Sequence, residues 1–332
     1  QSYFMKTVME GSQGFKATYW NNRERAGDVA TTGQVTHPFK MTTAGDHEFA
    51  SGVRLVGFSA LYETDFIAPE TEEIVFKAGA TGYFELFVNG KSLAKYNNWR
   101  TLPSRIPLNV EKGKNYRIEI RYAQLNNWQA NLEFDFGKEL DIDYSGLISK
   151  LKGIDEVIFV GGLSTLLEGE EMPVNFPGFK GGDRTDIELP LVQRNCLKAL
   201  KAAGKKVIYV NCSGSAIGLV PETESCDAIL QAWYGGESGG QAVADVLFGD
   251  YNPSGKLPVT FYKDTTQLAD FEDYSMKGRT YRYMTSEPLF PFGYGLSYTS
   301  FTTGSAQLDK AVISVNEPVI IRIPVSNIGK RN

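Results

Sequence analysis

Apolar and polar residues alternate with a period of two through the first part of the chain. The runs are Phe15–Trp20 (FKATYW), Val53–Phe58 (VRLVGF), Glu73–Lys77 (EIVFK), Tyr83–Val88 (YFELFV), Tyr116–Tyr122 (YRIEIRY) and Ala130–Phe136 (ANLEFDF). Gly, Asn and Asp separate them. Short alternating runs between turn residues predict an antiparallel β-sandwich over 14–139, after an upstream segment, 1–13, with no clear element. Asn89-Gly90 is a two-residue hairpin turn, because both residues tolerate positive φ.

The pattern changes near residue 140. Ile142–Lys152 reads as a helix and Glu156–Val160 (EVIFV) as a strand buried on both faces. Ile187–Ala203 carries apolar residues at helical spacing and stops at Gly204. Lys206–Cys212 (KVIYVNC), Ala228–Tyr234 (AILQAWY) and Leu257–Phe261 (LPVTF) read as strands, with a helix at Gly240–Phe248. Strands alternating with helices predict a three-layer α/β sandwich with a mainly parallel sheet over 140–290. The aromatic, Gly- and Pro-rich stretch Gly278–Thr299 reads as a packed strap. Two alternating runs, Ala311–Val315 and Pro318–Val325, begin a further β-domain within 291–332, too short to bury a face by itself.

The chemistry concentrates where the Glu156–Val160 strand ends in Gly161-Gly162. The loop beyond carries Glu168, Glu170 and Glu171, then Pro173, Pro177 and a run of glycines. It closes on Asp183-Arg184-Thr185, with a helix beginning near Asp186. Carboxylates this close repel, so at least one has a raised pKa if the loop folds into a cleft, and a carboxyl protonated near neutral pH is a general acid. Strand exits of parallel sheets are where open α/β folds bind ligands. The same spacing also fits an acidic surface loop, since carboxylates are mostly exposed. Asn97-Asn98-Trp99-Arg100 and Asn126-Asn127-Trp128 each set an indole beside amides. That suits a sugar, whose ring stacks while its hydroxyls meet the amides; each Trp could equally cap the sandwich core.

Composition narrows the field. The 332 residues carry a net charge of −5, with 42% hydrophobic and 22% charged residues. No basic cluster favours nucleic acid, and no apolar run approaches the roughly 18 residues that cross a bilayer. Length predicts two or three domains. Cys196, Cys212 and Cys226 read as buried thiols rather than a disulfide frame. His37 and His47, the only histidines, lie far from any cysteine or acidic cluster, which argues against a metal site or a Ser-His-Asp triad. Gly161-Gly162 and Gly235–Gly240 match neither GxGxxG nor a phosphate loop, so no cofactor is expected. The chain starts at Gln1 without Met and reads as a mature or cut segment.

Gly14–Asn22 (GFKATYWNN) and Thr81–Leu93 (TGYFELFVNGKSL) resemble the anthrax protective-antigen-type β-sandwich inserted in many carbohydrate enzymes. The usual Asp-Asp-Gly before its central strand is replaced by Ala80-Thr81-Gly82, which argues against a metal- or sugar-binding role tied to those acids. A second resemblance covers the remainder. It rests on Gly162–Glu170, Gly182–Pro190 (GDRTDIELP), Tyr209–Gly214 (YVNCSG), Trp233–Gly240 (WYGGESGG), Ala244–Pro258 (ADVLFGDYNPSGKLP) and Pro291–Thr299 (PFGYGLSYT). Together these resemble the C-terminal half of a family 3 glycoside hydrolase, in which the last motif leads into a fibronectin-III-like domain.

That resemblance implies a retaining exo-acting β-glycosidase. Its Asp nucleophile sits on an N-terminal barrel absent from this chain, and this half supplies the general acid/base Glu. Xylosidase-like members read Gly-Leu, four residues, then Glu-x-Glu; Gly162-Leu163 and Glu168-Gly169-Glu170 match, which points to Glu170. The inserted Met172–Gly181 keeps Glu171 and Glu168 as alternatives. Asp183 and Arg184 are expected to fix the loop by a bidentate pair or helix capping. Gly278–Tyr283 (GRTYRY) leans to β-xylosidase over β-glucosidase. The expected partners are an oligosaccharide or aryl or alkyl β-glycoside and the barrel, with no nucleic acid and no membrane; the expected location is secreted or periplasmic. The isolated chain is expected to be inactive. The competing reading is a non-catalytic carbohydrate-binding protein that uses the loops at Trp99 and Trp128.

Overall fold

The computed structural model describes residues 6–8, 14–99, 104–125, 129–140, 142–168 and 174–331. The chain divides into two compact units, one of residues 1–209 with 221–229, the other of 210–220 with 230–332.

The first unit opens with strands β1 (Lys6–Val8), β2 (Gly14–Trp20), β3 (Thr31–Thr36), β4 (Phe39–Thr42), β5 (Ser59–Ile67) and β6 (Glu72–Ala80). Then come β7 (Gly82–Val88), β8 (Lys91–Asn98), β9 (Ser104–Val110), β10 (Asn115–Ala123) and β11 (Asn131–Leu140). One sheet has the order β3-β2-β5-β10-β7-β8; another contains β1-β11-β6-β9, with β4 also paired to β11. Their inner faces share one aromatic core. Phe15 of β2 is fully buried and meets Phe134 of β11 edge-on, with ring centroids 5.7 Å apart. Burying each such ring contributes about 1.5–3 kcal/mol. The alternating runs predicted β2, β6, β7, β10 and β11; Val53–Phe58 is a loop, with β5 starting one residue later at Ser59. Strands β1, β3, β4, β8 and β9 lie outside the predicted runs, β1 within the segment read as having no clear element. Asn89 and Gly90, with φ of 49° and 77°, make the predicted β7–β8 turn.

Between β6 and β7, Thr81 ties the turn to the segment before β11. Its Oγ1 donates to the Gln129 carbonyl at 3.0 Å and accepts from the Asn131 N–H at 2.8 Å. A Cβ on Gly82 would lie 2.5 Å from the Ala123 carbonyl oxygen, so only glycine fits there.

Beyond the sandwich follow α1 (Ser145–Lys150), β12 (Glu156–Gly162), α2 (Thr165–Glu168), β13 (Asn175–Phe176), β14 (Phe179–Lys180), β15 (Asp183–Arg184) and α3 (Leu191–Ala202). Next come β16 (Lys206–Cys212), α4 (Val220–Ser225), β17 (Ala228–Gln231) and α5 (Gly239–Phe248). Among the described residues the α/β sheet has three strands, in the order β12-β16-β17. The Asp227 N–H donates to Val207 O and the Ala232 N–H to Asn211 O, so β16 and β17 advance together, in parallel.

Several elements differ from the periodicity reading. Helix α3 begins at Leu191 rather than near Asp186, because Pro190 takes the N-cap and holds 187–190 extended. On β12, Ile158 is 45% and Val160 61% exposed, so the strand is covered on one face rather than both. Leu257–Phe261 is not a strand; Phe261 makes only an isolated bridge to Phe290. Cys212 is only partly buried, whereas Cys196 and Cys226 are buried; all three are free thiols.

In the second unit the Gly/Pro-rich motifs are sewn together by side chains. The Asn252 side-chain oxygen accepts from Ser297 Oγ at 3.0 Å and from the Tyr298 N–H at 2.8 Å, while the Tyr298 hydroxyl donates to Val246 O. Tyr281, in α6 (Thr280–Tyr283), stacks on Phe292 at 4.5 Å. The end of the chain forms two small antiparallel pairs: β18 (Phe301–Thr303) with β21 (Val325–Asn327), and β19 (Gln307–Leu308) with β20 (Ile321–Arg322). Ala311–Val315 contributes no strand. Among the described residues no helix is long and apolar enough to cross a membrane.

Candidate active site

The exit of β12 is fixed by one buried side chain. Gln193, on α3, accepts from the Gly162 N–H and donates to the Gly162 carbonyl, both at 2.8 Å. Gly162 has φ of 130°, in the region that favours glycine. A Cβ on Gly161 would approach Gln193 Oε1 to 2.5 Å and the Phe159 ring to 2.6 Å. The Gly-Gly pair therefore lets α3 close against the strand end.

Helix α2 follows, with Leu167 fully buried and Glu168 half-buried; one Glu168 carboxylate oxygen is shielded from solvent. Glu170 and Glu171 lie outside the described residues, and so does the predicted rise in carboxylate pKa where it concerns them. The chain resumes at Val174 and makes a tight hairpin, β13–β14. Phe176 pairs with Phe179 across Pro177-Gly178, with Gly178 at φ 89°. Pro followed by a positive-φ Gly is the sequence of a type II turn. Leu163, Leu167, Val174, Phe176 and Phe179 form their own small buried cluster, separate from the sandwich core. Both ends of the glutamate turn are thus rooted in the same apolar contact.

Asp183 and Arg184 form β15, antiparallel to β14. The Arg184 guanidinium lies over the Phe179 ring at 4.7 Å, and its Nη2 donates to Glu188 O at 3.4 Å. Asp183 is exposed and caps no helix, because α3 starts seven residues after Arg184. The turn beyond is held instead by Asp186, whose Oδ1 accepts from the Glu188 N–H at 2.9 Å. Below it, Arg194 is clamped by both Glu222 oxygens, at 2.7 and 3.0 Å, and by Glu188 at 2.5 Å.

The sheet that holds β9 continues into β13, β14 and β15. Asn175, the first residue of β13, pairs in parallel with Ser104, the first of β9. On its other side Ser104 faces Ala78 of β6, and four residues later Gly82 faces Asn98 of β8. Trp99 therefore leaves the sandwich at the end where Val174 leads into β13. Trp99 is 62% exposed, so it does not cap the core. Asn98 beside it is buried, and its Nδ2 has no hydrogen-bond partner among the described residues. Arg100, Asn126, Asn127 and Trp128 lie outside the described residues.

The thiols are poor nucleophiles. Burial raises Cys196 and Cys212, and burial with the nearby Glu222 and Asp227 charges pushes Cys226 up to about 12. Among the described residues no group of three or more His, Cys, Asp or Glu is gathered to hold a metal.

Sequence reading missed Gln193, the Phe176–Phe179 hairpin and the Ser104–Asn175 pairing. The hairpin had a signal, aromatics flanking Pro-Gly. The pairing had none, because it joins residues seventy-one positions apart.

A family description, glycosyl hydrolase family 3 C-terminal domain, matches residues 28–298. The chain belongs to that family. It is 58% identical over 97% of its length to a xylan 1,4-beta-xylosidase of Xylanibacter ruminicola, of which it covers 37%. It is 36% identical to a beta-xylosidase of Formosa agariphila over 60% of its length, covering 28% of that protein. A periplasmic beta-glucosidase of Salmonella typhimurium is 42% identical over 46% of the chain, which covers 21% of it. The family 3 chain thus spans between a fifth and two-fifths of these relatives. A crystal structure of a beta-glucosidase from Kluyveromyces marxianus aligns with 96% of the chain and 39% of its own, at 21% identity and a TM-score of 0.51, a likeness of fold.

Proposed function

We propose that this chain is the acid/base-bearing part of a retaining, exo-acting β-xylosidase, with Glu170 as the acid/base and Glu171 or Glu168 as alternatives. The observation that carries this reading is the 58% identity to a xylan 1,4-beta-xylosidase over nearly the whole chain. The double anchoring of the glutamate turn supports it, because a proton donor has to be held in place. A nucleophilic Asp on a barrel domain of the same protein completes the pair.

In this reading the aspartate attacks the anomeric carbon while the glutamic acid gives its proton to the departing oxygen, and a covalent glycosyl-enzyme forms. Carboxyls roughly 5–5.5 Å apart leave no room for water on that path. The same glutamate, now ionised, takes a proton from the water that releases xylose. Trp99 offers an exposed indole to a sugar unit on the leaving-group side, whereas the Asn98 amide, expected to meet the sugar, is buried and does not reach it. Asp183 and Arg184 act on the loop rather than on substrate. The strands at 14–139 follow a protective-antigen-type sandwich, and 291–332 begin a fibronectin-III-like domain. The protein is secreted or periplasmic, as the name of the Salmonella relative suggests by analogy.

A second reading, a carbohydrate-binding surface without catalysis, is favoured by one observation, the exposed Trp99. Comparing the intact protein on aryl β-xyloside and aryl β-glucoside separates the two. Preferential turnover of the xyloside supports the xylosidase, and binding without turnover of either supports the surface.

A further inference from the structure

We propose that the β13–β14 hairpin, seated on the sandwich edge at Ser104, is the positioning device of the acid/base glutamate, so that the sandwich controls proton delivery. This rests on the acid/base reading of the Glu168–Glu171 turn and adds the parts that aim it.

The turn has two roots. One is the β12 exit, clamped by Gln193 and continued through buried Leu163 and Leu167. The other is Val174 and the hairpin, whose Phe176 and Phe179 close the same apolar cluster. That cluster is small and stands apart from the sandwich core. Its backbone link to the sandwich is the parallel pairing of Asn175 with Ser104. An edge strand extended by another segment gains main-chain hydrogen bonds and a fixed register. Arg184 over the Phe179 ring adds a cation–π contact. Gly178 is confined as well: a Cβ there would lie 3.0 Å from the Asp186 carboxylate, and its carbonyl accepts from the Thr185 N–H. The hairpin is therefore pinned to the sandwich through Asn175, to α2 through the apolar cluster, and to the 185–186 segment through Gly178. A shift of its register would carry the C-terminal root of the glutamate turn with it.

Phe179 and Arg184 are thus positioning residues, which act through the glutamate and touch no substrate. A misplaced acid harms the step that needs a proton and spares one that does not. Losses on the order of 10²-fold follow displacements near 1 Å.

The test uses the full-length protein with aryl β-xylosides of graded leaving-group acidity. Phe179→Ala should lower kcat/KM for phenyl β-xyloside by on the order of 10²-fold, while the dinitrophenyl xyloside changes by no more than about twofold. Phe179→Leu should recover most of the loss. Arg184→Gln, which leaves the apolar cluster intact, should show the same leaving-group dependence at smaller size and stands in if Phe179→Ala does not fold. Equal losses on both substrates, or none, would overturn the proposal. Alanine variants of Glu168, Glu170 and Glu171 run alongside. If one of them shows the dependence and the hairpin variants do not, the positioning role falls alone. If none does, the acid/base reading falls and the positioning role with it.

Discussion

Gln193 closes both backbone hydrogen bonds of Gly162, accepting from its N–H and donating to its carbonyl at 2.8 Å each. The glycine ends the strand and the glutamine belongs to the next helix, so one buried amide ties the strand exit to the layer beside it. Replacing it with an apolar residue would strand a buried donor and a buried acceptor, each costing about 1–3 kcal/mol. Gln193→Leu should lower the urea midpoint of the chain's first transition, with Gln193→Glu intermediate. An unchanged midpoint would mean that Gly162 finds other partners.

Gly161→Ala should destabilise by about 1–3 kcal/mol through overpacking, since the added methyl would meet both the Gln193 amide and the Phe159 ring. Equilibrium unfolding of the same chain measures it. Combined with Gln193→Ala, the cost should shrink, because one of the two clashing groups is gone.

The sandwich was legible because its signal is local: alternation sets which residues face the core, and Phe15, Phe76, Phe84 and Phe134 are all buried as the pattern requires. The start of α3 was misplaced because Ile187 and Leu189 fit a helical period while Pro190, between them and the helix, rules it out. Val53–Phe58 alternates in hydropathy yet lies in a loop, its glycine turned to φ 71°. At the site, sequence named the glutamate stretch and Trp99 but not the hairpin that brings Val174 and β13 to the sandwich edge. That depends on Asn175 pairing with Ser104, a long-range register that no local pattern encodes.

Trp99→Ala should weaken binding of xylo-oligosaccharide by about tenfold, the scale of one stacked ring. Calorimetric titration of the wild-type and variant chains checks this. Equal affinities would remove Trp99 from any sugar site.

Cys226 gives a pH prediction. Its thiol is held protonated up to about 12, against 9.0 for an ordinary one, chiefly by burial. The folded state thus binds the proton more tightly than the unfolded chain does. The stabilisation is fully present below about pH 9 and is lost as pH rises toward 12. Urea midpoints measured between pH 8 and 11 should fall, and Cys226→Ala should flatten that slope. In native conditions at pH 8 the thiol should resist disulfide reagents until the chain unfolds.

Glu170→Ala in the full-length protein tests most directly whether a glutamate of the Glu168–Glu171 stretch is the acid/base of a xylosidase, as we propose. Turnover of phenyl β-xyloside should fall by about 10²–10⁴-fold. Turnover of dinitrophenyl β-xyloside should be limited by release of the glycosyl-enzyme and accelerated by azide, with β-xylosyl azide as product. Wild-type rates on the phenyl substrate, or a loss that azide does not relieve, would contradict that assignment.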